Sequence, residues 1–532
     1  MFLLLMSTQT ITTGPASEIV SYDPATGQEI GSVPRRTAAE VREAVARARI
    51  AQKAWSGLSF RARGAIVLKA REIVLDQTDE IAKTVARETG KPVPEAISME
   101  IVPSLDLMHY FASKTADLLE SQPIDIAQYR LMGRSSQIVY KPLGVIGIIS
   151  PWNFPWATPL DEVVMALMAG NAVVLKPSEL TPFTALKIGE VLKQAGLPEA
   201  VLEIVTGDGS TGAALVDAAV DKLIFTGSVE TGKRVAEAAA KHLTPVVLEL
   251  GGKDPMIVFE DANLKNAARA VVWGAFLNAG QACSSIERCY VHESIAKEFI
   301  DLVVNETLAL KQGAPDSENV DIGAMSNERQ LKLVEDHIAD AKDRGAQILT
   351  GGARVSDSDG WFHEPTVLVN VDHSMKVMRD ETFGPTLPIM TFKSEDEAVR
   401  LANESIYGLT ASVWTNNIAR GECVAQKIQA GTVMVNEVIY THAIAQTPWG
   451  GVKQSGYGHT HGRMGLLELV TAQHIHVNRV PWLADVWWFK YSKDAGDLFR
   501  GLAKRFTSGS IVQASVLLPQ LIKRLFETRQ RP

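Results

Sequence analysis

Short runs of β-branched residues alternate with helix-like segments from residue 145 onward, and this alternation limits the possible folds more than any other feature. Residues 145–149 and 172–175 are typical of buried strands, and they flank a helix-like stretch at 159–169. Further strand candidates lie at 202–205 and 222–226, each followed by a helix candidate, at 211–218 and 232–241. Strands that are joined through helices pair in parallel, so the pattern predicts an α/β fold with a Rossmann-like, doubly wound sheet.

A second α/β pattern occupies residues 254–453. Helix candidates at about 264–277 and 294–310 are followed by strand candidates at about 387–392 and 431–435. A separate α/β catalytic domain is therefore expected beside the first sheet.

The N-terminal part of the chain reads as helical. Residues 37–40, Thr-Ala-Ala-Glu, have the spacing of a capping box, and apolar residues recur at helical spacing as far as about Trp55. The same period continues over 61–88 and ends at the stop signal Gly90-Lys91-Pro92. Two helical stretches are therefore predicted ahead of the first sheet.

Length and composition exclude several classes of protein. A chain of 532 residues, 46% hydrophobic and 21% charged, is expected to fold into two or three domains. Its net charge of −8 gives no general electrostatic reason to bind nucleic acid, and a small-molecule partner fits better. Three cysteines cannot form a disulfide framework and suit a reducing, cytoplasmic compartment. The apolar run Met1–Leu5 lacks the features of a signal peptide, and Met6 is an alternative start.

Three polar residues stand where chemistry is expected. Cys283 follows a run of small residues, Glu249 ends an apolar strand beside Gly251, and Asn153 lies in the turn 151–155 at the carboxyl end of a strand. Each has an ordinary alternative. A lone cysteine is usually buried and inert, a glutamate is usually solvated, and an asparagine often caps a turn.

Six motifs in fixed order carry a resemblance to a known family, and they extend over about residues 17–477. The chain resembles the aldehyde dehydrogenase superfamily in the segments Pro-Trp-Asn-Phe-Pro at 151–155, Gly-Asn-Ala-Val-Val-Leu-Lys-Pro-Ser-Glu at 170–179, Phe-Thr-Gly-Ser at 225–228, Glu-Leu-Gly-Gly-Lys at 249–253, Cys283, and Glu-Thr-Phe-Gly-Pro at 381–385.

The resemblance implies a mechanism. Cys283 would be the nucleophile that attacks the aldehyde and passes through a thiohemiacetal to a thioester. Asn153 and the backbone N–H of Cys283 would donate hydrogen bonds to the oxyanion, and Glu249 would be the general base for hydrolysis. The product would be a carboxylic acid.

The resemblance also implies a dinucleotide site. Lys176 and Glu179 would hold the adenine ribose, and Glu381 and Phe383 the nicotinamide end. A carboxylate at Glu179 favours NAD because it repels a 2′-phosphate, whereas Lys176 leaves NADP possible. The other implied cofactor residues are Ser150, Pro151, Trp152, Gly227, Ser228, Gly232 and Leu250. The Gly-x-Gly-x-x-Gly sequence at 207–212 is interpreted only as a tight turn.

By the same resemblance, the cofactor domain comprises residues 1–124 and 146–253, and the catalytic domain residues 254–453. Residues 125–145 and 454–480 would supply a small β element for assembly into a homodimer or homotetramer. Two histidine pairs, His459/His461 and His474/His476, lack a companion cysteine or acidic cluster in the sequence, so no metal site is predicted.

The substrate class rests on one missing charge. Members of the family that act on ω-carboxylated aldehydes usually carry an arginine after the asparagine turn, whereas residues 156–164 contain only Asp161 and Glu162 as charges. Together with Trp156, Trp273 and Phe276 this favours an apolar medium-chain or aromatic aldehyde. A succinate-semialdehyde dehydrogenase, a coenzyme-A-acylating enzyme and a catalytically silent homologue are the alternatives. The acylating relatives typically lack the glutamate present here at position 249.

The chain extends past the family's usual end. Residues 481–532 hold nine Lys and Arg against four Asp and Glu, with Trp482, Trp487, Trp488 and Phe489 clustered at their start. Basic and aromatic residues together are typical of a membrane-surface segment. Packing of this tail on a neighbouring subunit is the other interpretation.

Overall fold

The computed structural model describes residues 17–130, 132–356, 358–482, 484–489, 491–508 and 512–529. The prediction about Met1 and Met6 lies outside these residues. The chain divides into two compact units. Unit 1 comprises Met1–Leu119 and Lys141–Thr471, and unit 2 comprises Glu120–Tyr140 and Ala472–Pro532.

The strands of the described residues are, in chain order, β1 Glu18–Tyr22, β2 Glu29–Pro34, β3 Gln122–Ile124, β4 Arg134–Pro142, β5 Val145–Ile149, β6 Ala172–Lys176, β7 Leu202–Ile204, β8 Lys222–Thr226, β9 Val246–Glu249, β10 Asp254–Val258, β11 Ile286–His292, β12 Gln347–Thr350, β13 Thr366–Val369, β14 Thr386–Phe392, β15 Thr410–Trp414, β16 Thr432–Val435, β17 Gly456–Tyr457 and β18 Val470–Asn478.

The α-helices of the described residues are α1 Ala38–Ser56, α2 Phe60–Asp76, α3 Thr78–Thr89, α4 Val93–Ala96, α5 Val102–Leu118, α6 Ala127–Arg130, α7 Ala157–Ala169, α8 Pro182–Gln194, α9 Gly209–Asp217, α10 Val229–Ala240, α11 Leu264–Phe276, α12 Ala296–Leu308, α13 Glu328–Asp343, α14 Lys376–Arg379, α15 Glu395–Asn403, α16 Ile418–Ala425, α17 Gly462–Leu467, α18 Lys493–Ser508 and α19 Val512–Arg529. None of the described helices is long and apolar enough to cross a membrane.

Unit 1 contains a six-stranded sheet in the order β17-β9-β8-β5-β6-β7. Strands β5 to β9 pair in parallel, and β17 runs antiparallel to β9. Both β5 and β6 are buried along their whole length, as expected for strands with helices on both faces. Strand β5 lies between β6 and β8, and the chain adds strands first on the β6 side and then on the β8 side. Ligands of open α/β sheets bind at the carboxyl end of a strand where the strand order reverses in this way.

The second sheet of unit 1 has seven strands in the order β12-β13-β14-β11-β10-β15-β16. All its neighbouring strands are parallel except β12, which runs antiparallel to β13. Helices α11 and α12 cover one face, where Val271, Phe276 and Phe299 join one apolar cluster with strand residues Met256 and Ile389. The predicted α/β fold class, with parallel sheets, is confirmed.

The helical start of the chain follows local signals. The Thr37 hydroxyl accepts from the Glu40 N–H while the Glu40 carboxylate accepts from the Thr37 N–H, so the capping box forms as predicted. The single periodic stretch expected over 61–88 is two helices, α2 and α3, because Gln77 leaves helical geometry at φ −104° and ψ 18°. The Thr78 hydroxyl bonds back to the carbonyls of Val74 and Leu75 at this break.

Unit 2 contains the three-stranded sheet β18-β4-β3 and the helices α18 and α19. Of the residues 454–480 expected to contribute here, only β18 joins this sheet. Strand β17 pairs with β9 in unit 1, because Gly456 and Gly458 adopt φ +127° and +84° and turn the chain after two residues. Arg524 of α19 is buried, and its guanidinium donates to the carbonyls of Val486 and Trp488.

We expect Arg524→Ala to free the aromatic segment 484–489 for proteolysis. The substitution leaves the carbonyls of Val486 and Trp488 without their guanidinium donor, at a cost of about 1–3 kcal/mol for the buried Val486 carbonyl. Chymotrypsin should then cut at Trp487 or Trp488 several-fold faster, as followed by mass spectrometry. Lys523→Ala is the control, because its exposed pair with Asp494 is worth only about 0–1 kcal/mol. Equal cleavage rates in both variants would contradict the role given to Arg524.

Candidate active site

A cavity of about 1580 Å³ lies in unit 1, and its wall contains the carboxyl ends of β5, β6, β8 and β9. Of the fourteen site residues predicted from the sequence, thirteen line this cavity. Gly232 does not; it packs under Leu250, where a Cβ would stand 2.6 Å from a Leu250 methyl carbon. The thirteen are Ser150, Pro151, Trp152, Asn153, Lys176, Glu179, Gly227, Ser228, Glu249, Leu250, Cys283, Glu381 and Phe383.

Cys283 follows a strained turn. Asn278 and Ala279 adopt φ of +52° and +54°, an uncommon conformation for residues with side chains. Gly280, at φ +75°, packs so closely on Gly384 that a Cβ would stand 2.1 Å from the Gly384 carbonyl oxygen. This turn holds the Cys283 thiol half-buried at the cavity wall. Burial raises the pKa of the thiol, and the carboxylates of Asp254, Glu249 and Glu381 raise it further.

Glu249 ends β9 and is buried. Neither of its carboxylate oxygens has a hydrogen-bond partner among the described residues. Burial raises its pKa well above 4.5, and the nearby Glu162 carboxylate adds to the shift. Such a group holds a proton near neutral pH more readily than an exposed glutamate and has free lone pairs for a ligand or water.

Asn153 is held through both its side chain and its backbone. Its side-chain Nδ2 donates to the Gln281 backbone carbonyl at 3.0 Å, and its backbone carbonyl accepts from the Asn278 Nδ2 at 3.0 Å and from the Lys91 Nζ at 2.8 Å. Gln281 and Asn278 belong to the turn before Cys283. Asn153 is thus hydrogen-bonded to the turn that immediately precedes Cys283, although the two segments lie far apart in the sequence.

Lys91 and Glu100 form a fully buried ion pair with an Nζ–Oε1 distance of 2.6 Å. The other Glu100 oxygen accepts from the backbone N–H groups of Trp156 and Ala157, at 2.8 and 3.2 Å. The pair therefore secures the turn of Asn153 from both sides. This pair was not predicted, because Lys91 stands within a helix stop signal and nothing in the sequence places it under residues 153–157.

The wall of the cavity also carries the predicted cofactor residues. Lys176 is buried and pairs with the half-exposed Glu179 at 3.2 Å. The Glu381 carboxylate accepts from the Gly252 N–H at 3.0 Å, and burial raises the pKa of Glu381 to about 8. The Phe383 ring meets the Trp152 ring edge-on at 5.4 Å.

The N-terminus of α10 also reaches this wall. The Ser228 hydroxyl caps the helix by accepting from the Thr231 N–H. Gly209 and Gly212, which the sequence analysis interpreted as a turn outside the site, line the cavity as well. They stand in the first turn of α9, and a side chain on Gly212 would reach Ile149 and Lys176.

The expected aromatic tunnel differs from the structure. Trp273 lines the cavity and is 41% exposed, but Trp156 and Phe276 face the protein interior and are not among the lining residues. Trp156 stands immediately before α7 and is fully buried. Phe276 ends α11 and packs in the core under the second sheet. The inward orientation of the Trp156 and Phe276 side chains depends on long-range packing, which the sequence pattern does not define.

Comparisons with known proteins agree with this architecture. The chain is 38% identical over 91% of its length to a 4,4'-diapolycopene aldehyde oxidase from Methylomonas sp., covering 90% of that protein. It is 40% identical over 86% of its length to a Mycobacterium bovis protein named provisionally as an NADP+-dependent succinate-semialdehyde dehydrogenase, covering 88% of it. An NAD-dependent aldehyde dehydrogenase from Sinorhizobium meliloti shares the fold with a TM-score of 0.83 at 37% identity, over 87% of this chain and 91% of that one. The model of the aldehyde dehydrogenase family matches residues 11–475, and the chain belongs to that family.

Proposed function

We propose that this protein oxidises an aldehyde to a carboxylic acid with NAD or NADP, through a thioester on Cys283. The observation that carries the proposal is the convergence of Cys283, Glu249 and Asn153 from three separate segments on one cavity. The Asn153 side-chain amide is held by its bond to the Gln281 carbonyl, and neither Glu249 carboxylate oxygen has a hydrogen-bond partner in the part of the chain that the structure describes.

Each of the three side chains has a task that its surroundings support. Cys283 gives up its proton to solvent water, and the sulfur of the resulting thiolate bonds to the aldehyde carbon. Asn153 Nδ2 and the Cys283 N–H donate to the oxygen on which negative charge develops. After hydride departs from the carbon, Glu249 takes a proton from water, and the resulting hydroxide displaces the sulfur. The thiol is then restored as the acid leaves.

The residues on the cofactor side fit a dinucleotide. When bound, the nicotinamide supplies the acceptor for the hydride. Glu381 and Phe383 would hold its ribose and ring, while Lys176 and Glu179 would bind the adenine ribose. A Cβ at position 251 would stand 2.3 Å from a Glu381 carboxylate oxygen, so the glycine leaves room for that carboxylate. Gly227, Ser228 and the first N–H groups of α10 would face the pyrophosphate, because a helix N-terminus favours anions.

NAD is proposed as the preferred cofactor. The Glu179 carboxylate can accept from a ribose 2′-hydroxyl, whereas it would repel a 2′-phosphate. The Lys176 ammonium beside it reduces that repulsion, so NADP use is not excluded by charge. The names of the relatives include both an NADP+-dependent and an NAD-dependent enzyme.

Glu249 favours hydrolysis over transfer to coenzyme A, because it supplies a base for water next to the thioester. Glu249 and the free thiol of Cys283 are both competent for catalysis, which disfavours the alternative of a catalytically silent homologue. The free state of the thiols at Cys283, Cys289 and Cys423 is compatible with the proposed cytoplasmic location.

Glu249→Gln should lower kcat by about 10²–10⁴-fold and remove the acidic limb of the kcat–pH profile. In the unmodified enzyme kcat falls as pH falls through the raised pKa of Glu249, because the base becomes protonated. NADH formation followed by absorbance measures both effects, and Cys283→Ala gives the inactive baseline.

Glu162→Gln is the matched control for this experiment. The Glu162 carboxylate raises the pKa of Glu249, so its removal should shift the acidic limb to lower pH without abolishing it. An unchanged acidic limb in Glu249→Gln would assign the titration to another group and exclude Glu249 as the base.

An apolar aldehyde is proposed as the substrate. The segment after the Asn153 turn offers no cation for an ω-carboxylate; its only charges, Asp161 and Glu162, are buried acids. Trp273 contributes an indole to the cavity wall. The name of the Methylomonas relative refers to an aldehyde of a hydrocarbon chain, while that of the Mycobacterium relative refers to succinate semialdehyde, the rival substrate.

We expect kcat/KM for hexanal and benzaldehyde to exceed that for succinate semialdehyde by at least tenfold, with either cofactor. The reason is the cost of placing the ω-carboxylate of succinate semialdehyde near the buried acids Asp161 and Glu162, in a segment that supplies no cation. Initial rates of NADH or NADPH formation provide the comparison. A higher kcat/KM for succinate semialdehyde would overturn the apolar assignment and leave the chemistry at Cys283 intact.

Assembly is proposed to use unit 2. Its sheet ends in the short strand β3 and the long strand β18, whose edges are open to pairing in a homodimer or homotetramer. The tail carries exposed aromatic residues, with Trp482 and Phe489 each 69% exposed. On α19, Leu518, Ile522 and Phe526 are exposed at four-residue spacing and share one face. We propose that this surface packs on a second copy of the chain.

Truncation after Val480 should reduce the oligomer mass measured by light scattering coupled to gel filtration, because it removes the exposed aromatic surface. The full-length chain, passed over vesicles of phosphatidylcholine and phosphatidylglycerol, is expected to stay unbound. Vesicle binding by the full-length chain alone, with an unchanged oligomer mass after truncation, would replace subunit packing with membrane-surface binding.

A further inference from the structure

Asp161, His442 and His461 bring three ligand atoms together beside the active-site cavity. One carboxylate oxygen and one ring nitrogen from each histidine all lie within 4.8 Å of one another. The Asp161 Oδ2 and the His461 Nε2 are 3.5 Å apart, and the two imidazole centroids are 4.7 Å apart. The sequence analysis found no acidic companion for His461, because Asp161 lies far away in the chain.

The two most buried members of this cluster are not fully satisfied. Asp161 and His461 are only 1% and 2% exposed, yet the Asp161 Oδ1 and the His461 Nε2 have no hydrogen-bond partner among the described residues. A buried polar atom without a partner costs about 1–3 kcal/mol. A cation held by the Asp161 carboxylate and the His461 Nε2 would give both side chains a partner.

The distances suit a metal better than a direct hydrogen bond. Zinc binds imidazole nitrogen and carboxylate oxygen at about 2.0–2.2 Å, so two ligands of a tetrahedral ion lie about 3.4 Å apart. The 3.5 Å separation of Oδ2 and Nε2 agrees with this spacing, whereas it is long for a hydrogen bond. The other ring nitrogen of His461 contacts the Thr460 hydroxyl at 3.0 Å, which orients Nε2 toward the cluster.

We propose that Asp161, His442 and His461 bind a zinc ion in the wall of the active-site cavity. Two imidazoles and one carboxylate match the ligands of zinc, whereas calcium and magnesium prefer oxygen alone. His442, Thr460 and His461 line the same cavity as Cys283, so both histidine ligands belong to its wall.

The test must separate this site from Cys283, whose thiol is itself a zinc ligand. The full-length Cys283→Ser protein, stripped with a chelator and then incubated with Zn²⁺ and desalted, should retain one zinc per chain by elemental analysis. In the same background Asp161→Asn and His461→Gln should lose the ion. Thr460→Val should weaken zinc binding about 10–100-fold, because it removes the partner that orients His461.

His474→Gln combined with His476→Gln is the matched control, since both histidines are exposed on β18, and it should retain the zinc. Gel filtration and circular dichroism establish that each variant is folded. Absence of zinc from the Cys283→Ser protein, or its full retention in Asp161→Asn and His461→Gln, would overturn the proposal.

Cobalt substitution decides the question even if the cluster variants fail to fold. Co²⁺ added to the Cys283→Ser protein should give the visible absorption of a tetrahedral ion without a thiolate charge-transfer band. A thiolate band, or no tetrahedral absorption, contradicts the assignment. Because no readout depends on turnover, failure here leaves the proposed dehydrogenase function untouched.

Discussion

The ion pair of Lys91 and Glu100 is the interaction on which the geometry of the cavity depends. Both side chains are removed from water, so each charge requires the other and the backbone groups around it. Those groups belong to the turn of Asn153, through the Asn153 carbonyl on one side and the Trp156 and Ala157 N–H groups on the other. Breaking the bonds of the buried Lys91 ammonium or Glu100 carboxylate would leave a charge unpaired, so these bonds favour one conformation of the Asn153 turn. A preorganised amide is what stabilisation of an oxyanion needs.

Desolvation also sets the chemical character of the cavity. The pKa values of Glu162 and Glu381 are both raised to about 8, and those of Glu249 and Cys283 are raised as well, mainly through burial. Several acids in one place repel each other when ionised, so protons are held there at neutral pH. A general base with a high pKa and a thiol that ionises only during reaction suit a site in which proton transfer accompanies bond formation.

The sequence predicts what local patterns determine. The capping box of Thr37 and Glu40 involves four consecutive residues, and strands β5 and β6 are continuous apolar runs, so both were found. The motif residues of the cavity were found through family resemblance, and the structure brings all but Gly232 to its wall.

Features set by long-range packing were missed. The inward direction of Trp156 and the approach of Lys91 to Asn153 depend on how helices and turns pack together. The contact of Asp161 with His461 has the same origin, and no periodicity or spacing encodes it.

Unit 2 is built from two stretches of chain that lie far apart in the sequence. Strand β4 pairs with β18, so most of the protein is synthesised before its sheet gains the third strand. Chains emerge from the ribosome N-terminus first, at about 5–20 residues per second. Strand β4 therefore waits for tens of seconds with one edge unpaired, during which a nascent chain is open to mispairing. A chain interrupted before residue 470 would lack β18 altogether and leave β4 and β3 as a two-stranded ribbon, which is only marginally stable in water.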